Sequence, residues 1–209
     1  MKPYSEACVR NARPIMEILA RVFADRRRVL EIGSGTGQHA VYFASELPHL
    51  VWQTSDLSPA HPGIQAWLDE ARLDNVRTPI EVDVRNDVWP LGRFDAFFSA
   101  NVIHIAGWQA VQSMFRGIGR HRTDDCVVAF YGPYNYGGQP TSQSNAEFDV
   151  WLRRRNAASG IRDFEAVNTL AEKIGLTLVE DNAMPANNRL LVWRSSAISG
   201  AERIERAAL

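Results

Sequence analysis

Short, almost wholly apolar runs recur along the chain between stretches in which apolar residues return at helical spacing. Ile15, Ile18, Leu19, Val22 and Phe23 share one helical face behind Pro14, which predicts a helix ahead of the first strand. Strand one is predicted at 28–32, followed by a helix from Gln38 to Leu47 that Pro48 stops. Leu50 to Asp56 reads as strand two and Ser58-Pro59 as a turn, and the next helix carries Ile64, Trp67, Leu68 and Ala71 on one face. Strand three is expected at Thr78 to Asp83. Phe94 to Ala100, strand four, is apolar enough for a parallel sheet covered on both faces. A helix marked by Trp108, Val111, Phe115 and Ile118 leads into strand five, Cys126 to Tyr131.

The rhythm then breaks. Gly132 to Asn145 is rich in Gly, Pro, Ser, Gln and Asn, too polar for a core, and is expected to be a mobile cover over a site. Phe148 and Leu152 suggest a short helix. Asp163 is expected to cap a helix bearing Phe164, Val167, Leu170 and Ile174, with Gly175 as its stop. Two strands, 176–182 and 189–194, are separated only by a short turn and should pair as an antiparallel hairpin. Alternating strand–helix units closed by a hairpin predict an α/β, Rossmann-like fold: a seven-stranded, mostly parallel sheet with a C-terminal antiparallel hairpin. Residues 1–196 are expected to form one domain and 197–209 a tail.

Composition narrows the function classes. An apolar content of 45% with 22% charged residues is ordinary for a globular chain, and the formal net charge of −1 gives no bulk field for nucleic acid or an acidic membrane. Cys8 and Cys126 supply neither a disulfide framework nor zinc spacing, so no metal site is expected. The first residues lack the apolar core of a signal peptide and no run is long enough to cross a membrane, so a cytoplasmic location is expected.

The densest chemical information lies at 29–37, Val-Leu-Glu-Ile-Gly-Ser-Gly-Thr-Gly. Gly33, Gly35 and Gly37, with Ser34 between, allow a tight turn and close backbone approach to a ligand after a buried strand. The spacing is not that of a dinucleotide fingerprint, whose last glycine would fall on Gln38. Glu31 would repel a pyrophosphate but attract the ammonium group of S-adenosylmethionine (SAM), and SAM is therefore the expected cofactor. A nicotinamide oxidoreductase is disfavoured by the same two residues. Asp56 and the adjacent Leu57, at the end of strand two, fall where a carboxylate can accept both ribose hydroxyls. Asp83 and Val84 follow strand three, where an adenine amino group needs an acceptor. Asn101 follows strand four, where the sulfonium would lie.

His104 and Tyr131 are the candidates for a general base, although a histidine on an apolar stretch is commonly structural. The chain lacks an Asn-Pro-Pro-Tyr or Asp-Pro-Pro-Tyr after strand four, a Pro-Cys nucleophile, and a carboxylate at the end of strand five. These absences argue against amino-group methylation of bases, cytosine carbon methylation and a catechol-type metal site. Tyr131, Tyr134, Tyr136 and Trp108 are expected to form an aromatic, uncharged acceptor pocket for a small molecule, with no nucleic-acid or membrane partner.

Further motifs carry a resemblance. Arg10-Asn11, Gly35 to Ala44, Pro48-His49-Leu50, Ser55-Asp56-Leu57, Trp89-Pro90-Leu91 and Ala100 to Ile105 are similar to the methyltransferase-like protein 26 family. So are Tyr131-Gly132-Pro133, Ser142 to Asn145, Gly160 to Asp163 and Met184 to Asn188. The chain departs from that pattern at Arg155-Asn156-Ala157. The resemblance implies a class I SAM-binding fold. The function expected from the residues is that of a SAM-dependent methyltransferase acting on a small molecule. The alternative is a SAM-binding protein without methyl transfer, serving as a sensor or partner subunit.

Overall fold

The structure, a computed structural model, describes residues 2–195; the expected tail from 197 lies outside the described residues. Five strands come first, joined through helices except between the third and fourth: β1 (Arg28–Ile32), β2 (Val51–Asp56), β3 (Val76–Glu81), β4 (Phe94–Ala100) and β5 (Arg122–Gly132). Two further strands, β9 (Leu176–Met184) and β10 (Asn188–Ser195), complete a seven-stranded sheet of order β3-β2-β1-β4-β5-β10-β9. The pairs among β1 to β5 are parallel, while β10 runs antiparallel to both β5 and β9. This is the predicted topology. Strand order reverses between β1 and β4, and the crevice at the carboxyl ends of those strands is where open α/β sheets bind ligands.

Strict alternation along the central strands feeds two cores. Cys126, Val128 and Phe130 face a layer containing α5 (Trp108–His121) and α7 (Phe164–Lys173), where Val111, Phe115, Val167 and Trp193 are fully or almost fully buried. Val127, Ala129 and Tyr131 face the opposite layer, formed by α1 (Glu6–Val22) and α2 (Gln38–Glu46). There Phe43, Trp52 and Phe98 meet with ring centroids 5.3–5.9 Å apart. Aromatic contacts of this kind contribute about 0.5–1.5 kcal/mol each beyond simple burial. A further helix, α3 (His61–Ala71), packs Ile64 and Leu68 at the β3 edge.

Three local expectations are corrected. α1 begins well before Pro14, which sits inside the helix; Ser5 caps it by accepting from the Cys8 amide at 3.4 Å. The Ser5 amide is in turn held by Gln38 Oε1 at 2.6 Å, so Gln38 docks the start of α1 onto the start of α2. β3 ends at Glu81, and Asp83 stands in the following turn, accepting from the Arg85 amide at 2.9 Å.

The third correction concerns 132–145, which is not an irregular cover. After β5 the chain forms β6 (Tyr134–Tyr136) and β7 (Gln139–Pro140), and β6 also pairs in parallel with β8 (Arg162–Asp163). Tyr134 is buried, the Tyr136 hydroxyl donates to Asp181 Oδ2 at 2.8 Å, and the Gly137 amide donates to Glu165 at 3.0 Å. Hydrogen exchange in Tyr134–Tyr136 should therefore be slow in the free protein and change little with ligand. Fast exchange that slows only on ligand addition would restore the cover. α6 (Gln143–Arg155) follows, longer than the short helix expected, with Ser142 capping it through the Asn145 amide at 3.1 Å.

Candidate functional site

The glycine turn is clamped to the end of β2. The amides of Gly33 and Ser34 both donate to the Ser55 carbonyl, at 3.0 and 2.9 Å, and the Gly35 amide donates to Asp56 Oδ2 at 2.8 Å. Gly33, Gly35 and Gly37 all have positive φ, the backbone region in which a side chain is strained. At Gly37 there is a further reason for glycine: a Cβ there would stand 3.0 Å from the Cα of Ile64 in α3.

Glu31 lies behind this turn, only 2% exposed. Its Oε2 accepts from Ser34 Oγ at 2.9 Å and from the Trp52 indole at 3.1 Å. Burial pushes its pKa up to about 7, with these two hydrogen bonds acting in the opposite direction. Ser34 Oγ also accepts from the Ser55 amide at 3.1 Å, so Glu31 fixes the turn through Ser34.

Two cavities open at the carboxyl ends of the strands. The smaller, about 510 Å³, is lined by Gly33, Gly35, Asp56, Leu57, Asp83 and Val84, all expected there from sequence, together with Arg85, Val102 and Ala110, which were not. Asp56 Oδ1 accepts from the Leu57 amide at 2.7 Å, so each Asp56 oxygen has one backbone donor and a further lone pair for a ligand. Asp83 is paired with Arg85 at 2.6 Å, and that hydrogen-bonded guanidinium lowers its pKa. Aliphatic side chains beside two carboxylates suit a flat base joined to a diol, and the volume falls within the ~300–1,000 Å³ usual for small-molecule pockets. The residues present therefore fit SAM. Glu31, Ser34 and Gly37 shape this site from behind and are not part of its lining.

The larger cavity, about 830 Å³, is lined by Asn101 and His104, by Arg10 and Asn11 of α1, and by Phe148, Trp151 and Arg155 of α6. Ile105 and Asn156 line both cavities, and the chain from Ala100 to Val102 passes between them. Asn101 accordingly adopts φ 66°, with its amide donating to the Tyr131 carbonyl at 2.8 Å. His104, on the short helix α4 (Val102–Ile105), meets Phe148 edge-on at 5.4 Å. Burial, aided by the Arg162 cation, pushes its pKa down to about 4, so the ring is neutral at pH 7.

Tyr131 lines neither cavity. It projects to the α1 face, where burial raises its pKa against a hydrogen bond from Asn11. Asn11 also meets His39 Nε2 at 2.7 Å. The expected aromatic pocket is corrected as well. Tyr134 is core, Tyr136 stacks on Phe164 at 5.3 Å, and Trp108 packs against the same core beneath Arg162. The aromatic wall is Phe148 and Trp151 instead, and Arg10 and Arg155 make it charged. The spacing of Phe148 and Leu152 signalled the helix; the cavity-facing role of Trp151 had no sequence signal.

Among the described residues, no helix is long and apolar enough to cross a membrane, and no group of three or more His, Cys, Asp or Glu is placed to hold a metal.

Several solved structures with this fold are described as methyltransferases. An O-methyltransferase family protein from Burkholderia thailandensis superposes with TM-score 0.78 at 17% identity, covering 92% of this chain and 58% of that one. Mitomycin 7-O-methyltransferase MmcR gives 0.79 at 18%, with 91% and 54% covered. The S-adenosylmethionine-dependent methyltransferase SibL gives 0.75 at 19%, with 90% and 55% covered. The chain thus spans little more than half the length of these proteins, and at such identities the likeness shows the class I methyltransferase fold. Residues 2–195 match the family described as "Protein of unknown function (DUF938)", and the chain belongs to that family.

Proposed function

We propose that this protein is a cytoplasmic SAM-dependent methyltransferase whose acceptor is a small molecule. The observation that carries the reading is the pair of cavities meeting at Ile105 and Asn156 across the end of β4. One has the carboxylates and aliphatic walls that SAM needs, and the other has room for a second ligand. The residue-level likeness to the methyltransferase-like protein 26 family belongs to the same proposal, as do the descriptions of the structural neighbours.

When bound, SAM supplies an electrophilic methyl group. Asp56 would hold the ribose hydroxyls, Asp83 the adenine amino group, and the Gly33–Gly35 backbone would allow close approach. His104, neutral and with a low pKa, is a weak proton acceptor; it serves to orient an acceptor hydroxyl by accepting its hydrogen bond. The walls of the two cavities align the reactants and limit water access, which is the main task when the donor is already activated.

Calorimetry with S-adenosylhomocysteine tests the first half of the reading. Asp56→Ala should weaken binding by about 5- to 150-fold, the effect of roughly 1–3 kcal/mol from stranded polar partners and a loosened Gly35 amide. NAD binding in place of S-adenosylhomocysteine binding would sink the cofactor assignment. An unchanged constant in Asp56→Ala would remove Asp56 from the ribose site. Conversion of SAM to S-adenosylhomocysteine with cell-extracted metabolites tests the second half; binding without turnover would indicate a sensor.

A further inference from the structure

The larger cavity differs in charge from the chain as a whole. Two guanidinium groups, Arg10 and Arg155, stand among its lining residues, and no carboxylate does. The chain as a whole carries a net charge of −1. Among the described residues, the one ion pair of Arg10 is a long, solvent-exposed contact with Glu6 at 3.5 Å, which contributes little. Arg155 forms no ion pair among the described residues, and its guanidinium lies over the Trp151 ring, 4.7 Å from the centroid. Cationic capacity here is unspent.

The same wall is built to receive a flat ring. Phe148 and Trp151 stack at 5.6 Å with an interplanar angle of 20°, and Trp151 is 48% exposed although most large aromatics of this chain are buried. Stacked, half-exposed aromatics beside an arginine form a surface for a planar ligand, and the guanidinium fork matches a carboxylate. Asn101, Asn145 and Asn188 supply neutral polar groups elsewhere on the lining.

We propose that the larger cavity binds a small planar anion, an aromatic carboxylate, with its ring against Phe148 and Trp151 and its carboxylate met by Arg155 and Arg10. This names the acceptor class for the methyl-transfer reading and rests on that reading only for the fate of the ligand. The binding claim stands on the cavity itself.

The test is calorimetric titration with 4-hydroxybenzoate and indole-3-carboxylate, their uncharged carboxamides, and tyramine as the cation, each with and without S-adenosylhomocysteine. The acids should bind about tenfold or more tightly than their amides, as expected for charge-assisted pairing. Arg10→Gln and Arg155→Gln should each shrink that ratio and together bring it near one, with acid affinity falling more than amide affinity. Both side chains are exposed, so an unchanged melting temperature will show that the variants fold. Trp151→Ala should weaken acid and amide equally. Equal affinity for acid and amide in the wild type overturns the proposal, as does a preference for tyramine or a failure of both acids to bind. The S-adenosylhomocysteine titration separates the two readings. Acid selectivity without nucleoside binding supports the anion site and defeats methyl transfer, and the reverse result defeats the anion site alone.

Discussion

Gly33→Ala is expected to lower stability by roughly 2–5 kcal/mol, the sum of about 1–2 for a left-handed non-glycine residue and about 1–3 for overpacking. The backbone there has φ 75°, and a new Cβ would fall inside the van der Waals envelope of Val102 Cγ2. Val102 belongs to the segment between the two cavities, so relief of the clash would move the partition itself. For a chain of this size the melting temperature should fall by roughly 4–20 °C, and S-adenosylhomocysteine binding should be lost even where the protein remains folded. Gly35→Ala is the control. Its φ is 58°, but a Cβ there meets nothing within 4 Å, so only the backbone strain remains. Adding Val102→Ala to Gly33→Ala should recover the packing part of the loss and leave the strain. Equal destabilisation by Gly33→Ala and Gly35→Ala, or no recovery in the double variant, would show that contact with Val102 is not the cause.

The centre of the sheet was legible because β1, β4 and most of β5 are buried on both faces and read as apolar runs whatever surrounds them. The glycine turn, Asp56 and Asp83 were legible because each sits at a strand end, where topology alone brings them to one crevice. What escaped reading depends on long-range contacts. Ser5 caps α1 through the Cys8 amide while Gln38, distant in sequence, anchors its own amide; local propensity placed the helix behind Pro14. The polar stretch from Gly132 reads as loop until Arg162–Asp163 pairs with it and Asp181 and Glu165 accept from it. Phe148 and Leu152 read as the apolar face of a short helix. Only the placement of α6, whose Phe148 meets His104 of α4, turns part of that helix toward a cavity. Tyr131 shows the opposite error: proximity in sequence to the site did not decide which face of β5 its side chain takes.

Glu31 should make the protein less stable as pH rises through the weakly acidic range. In the unfolded chain its carboxyl titrates near 4.5, and in the folded protein near 7. Between those values the native state holds a proton that the unfolded state has released, so unfolding free energy falls with increasing pH. Above pH 7 both states are ionised and the full penalty is present, roughly 3 kcal/mol from the two pKa values. Glu31→Gln keeps an acceptor for Trp52 and Ser34 without the charge. Urea unfolding at pH 5 and pH 8 should therefore show the variant gaining on the wild type by most of that amount at pH 8, while parallel pH profiles would refute the buried-charge account. The penalty has a counterpart in binding. A ligand ammonium near Glu31 favours the ionised form, so binding should release a proton, and wild-type affinity for S-adenosylhomocysteine should rise several-fold from pH 6 to pH 8. In Glu31→Gln it should be weaker and flat over that range. A flat wild-type profile would leave Glu31 as the anchor of the glycine turn through Ser34 and place the ligand's ammonium elsewhere.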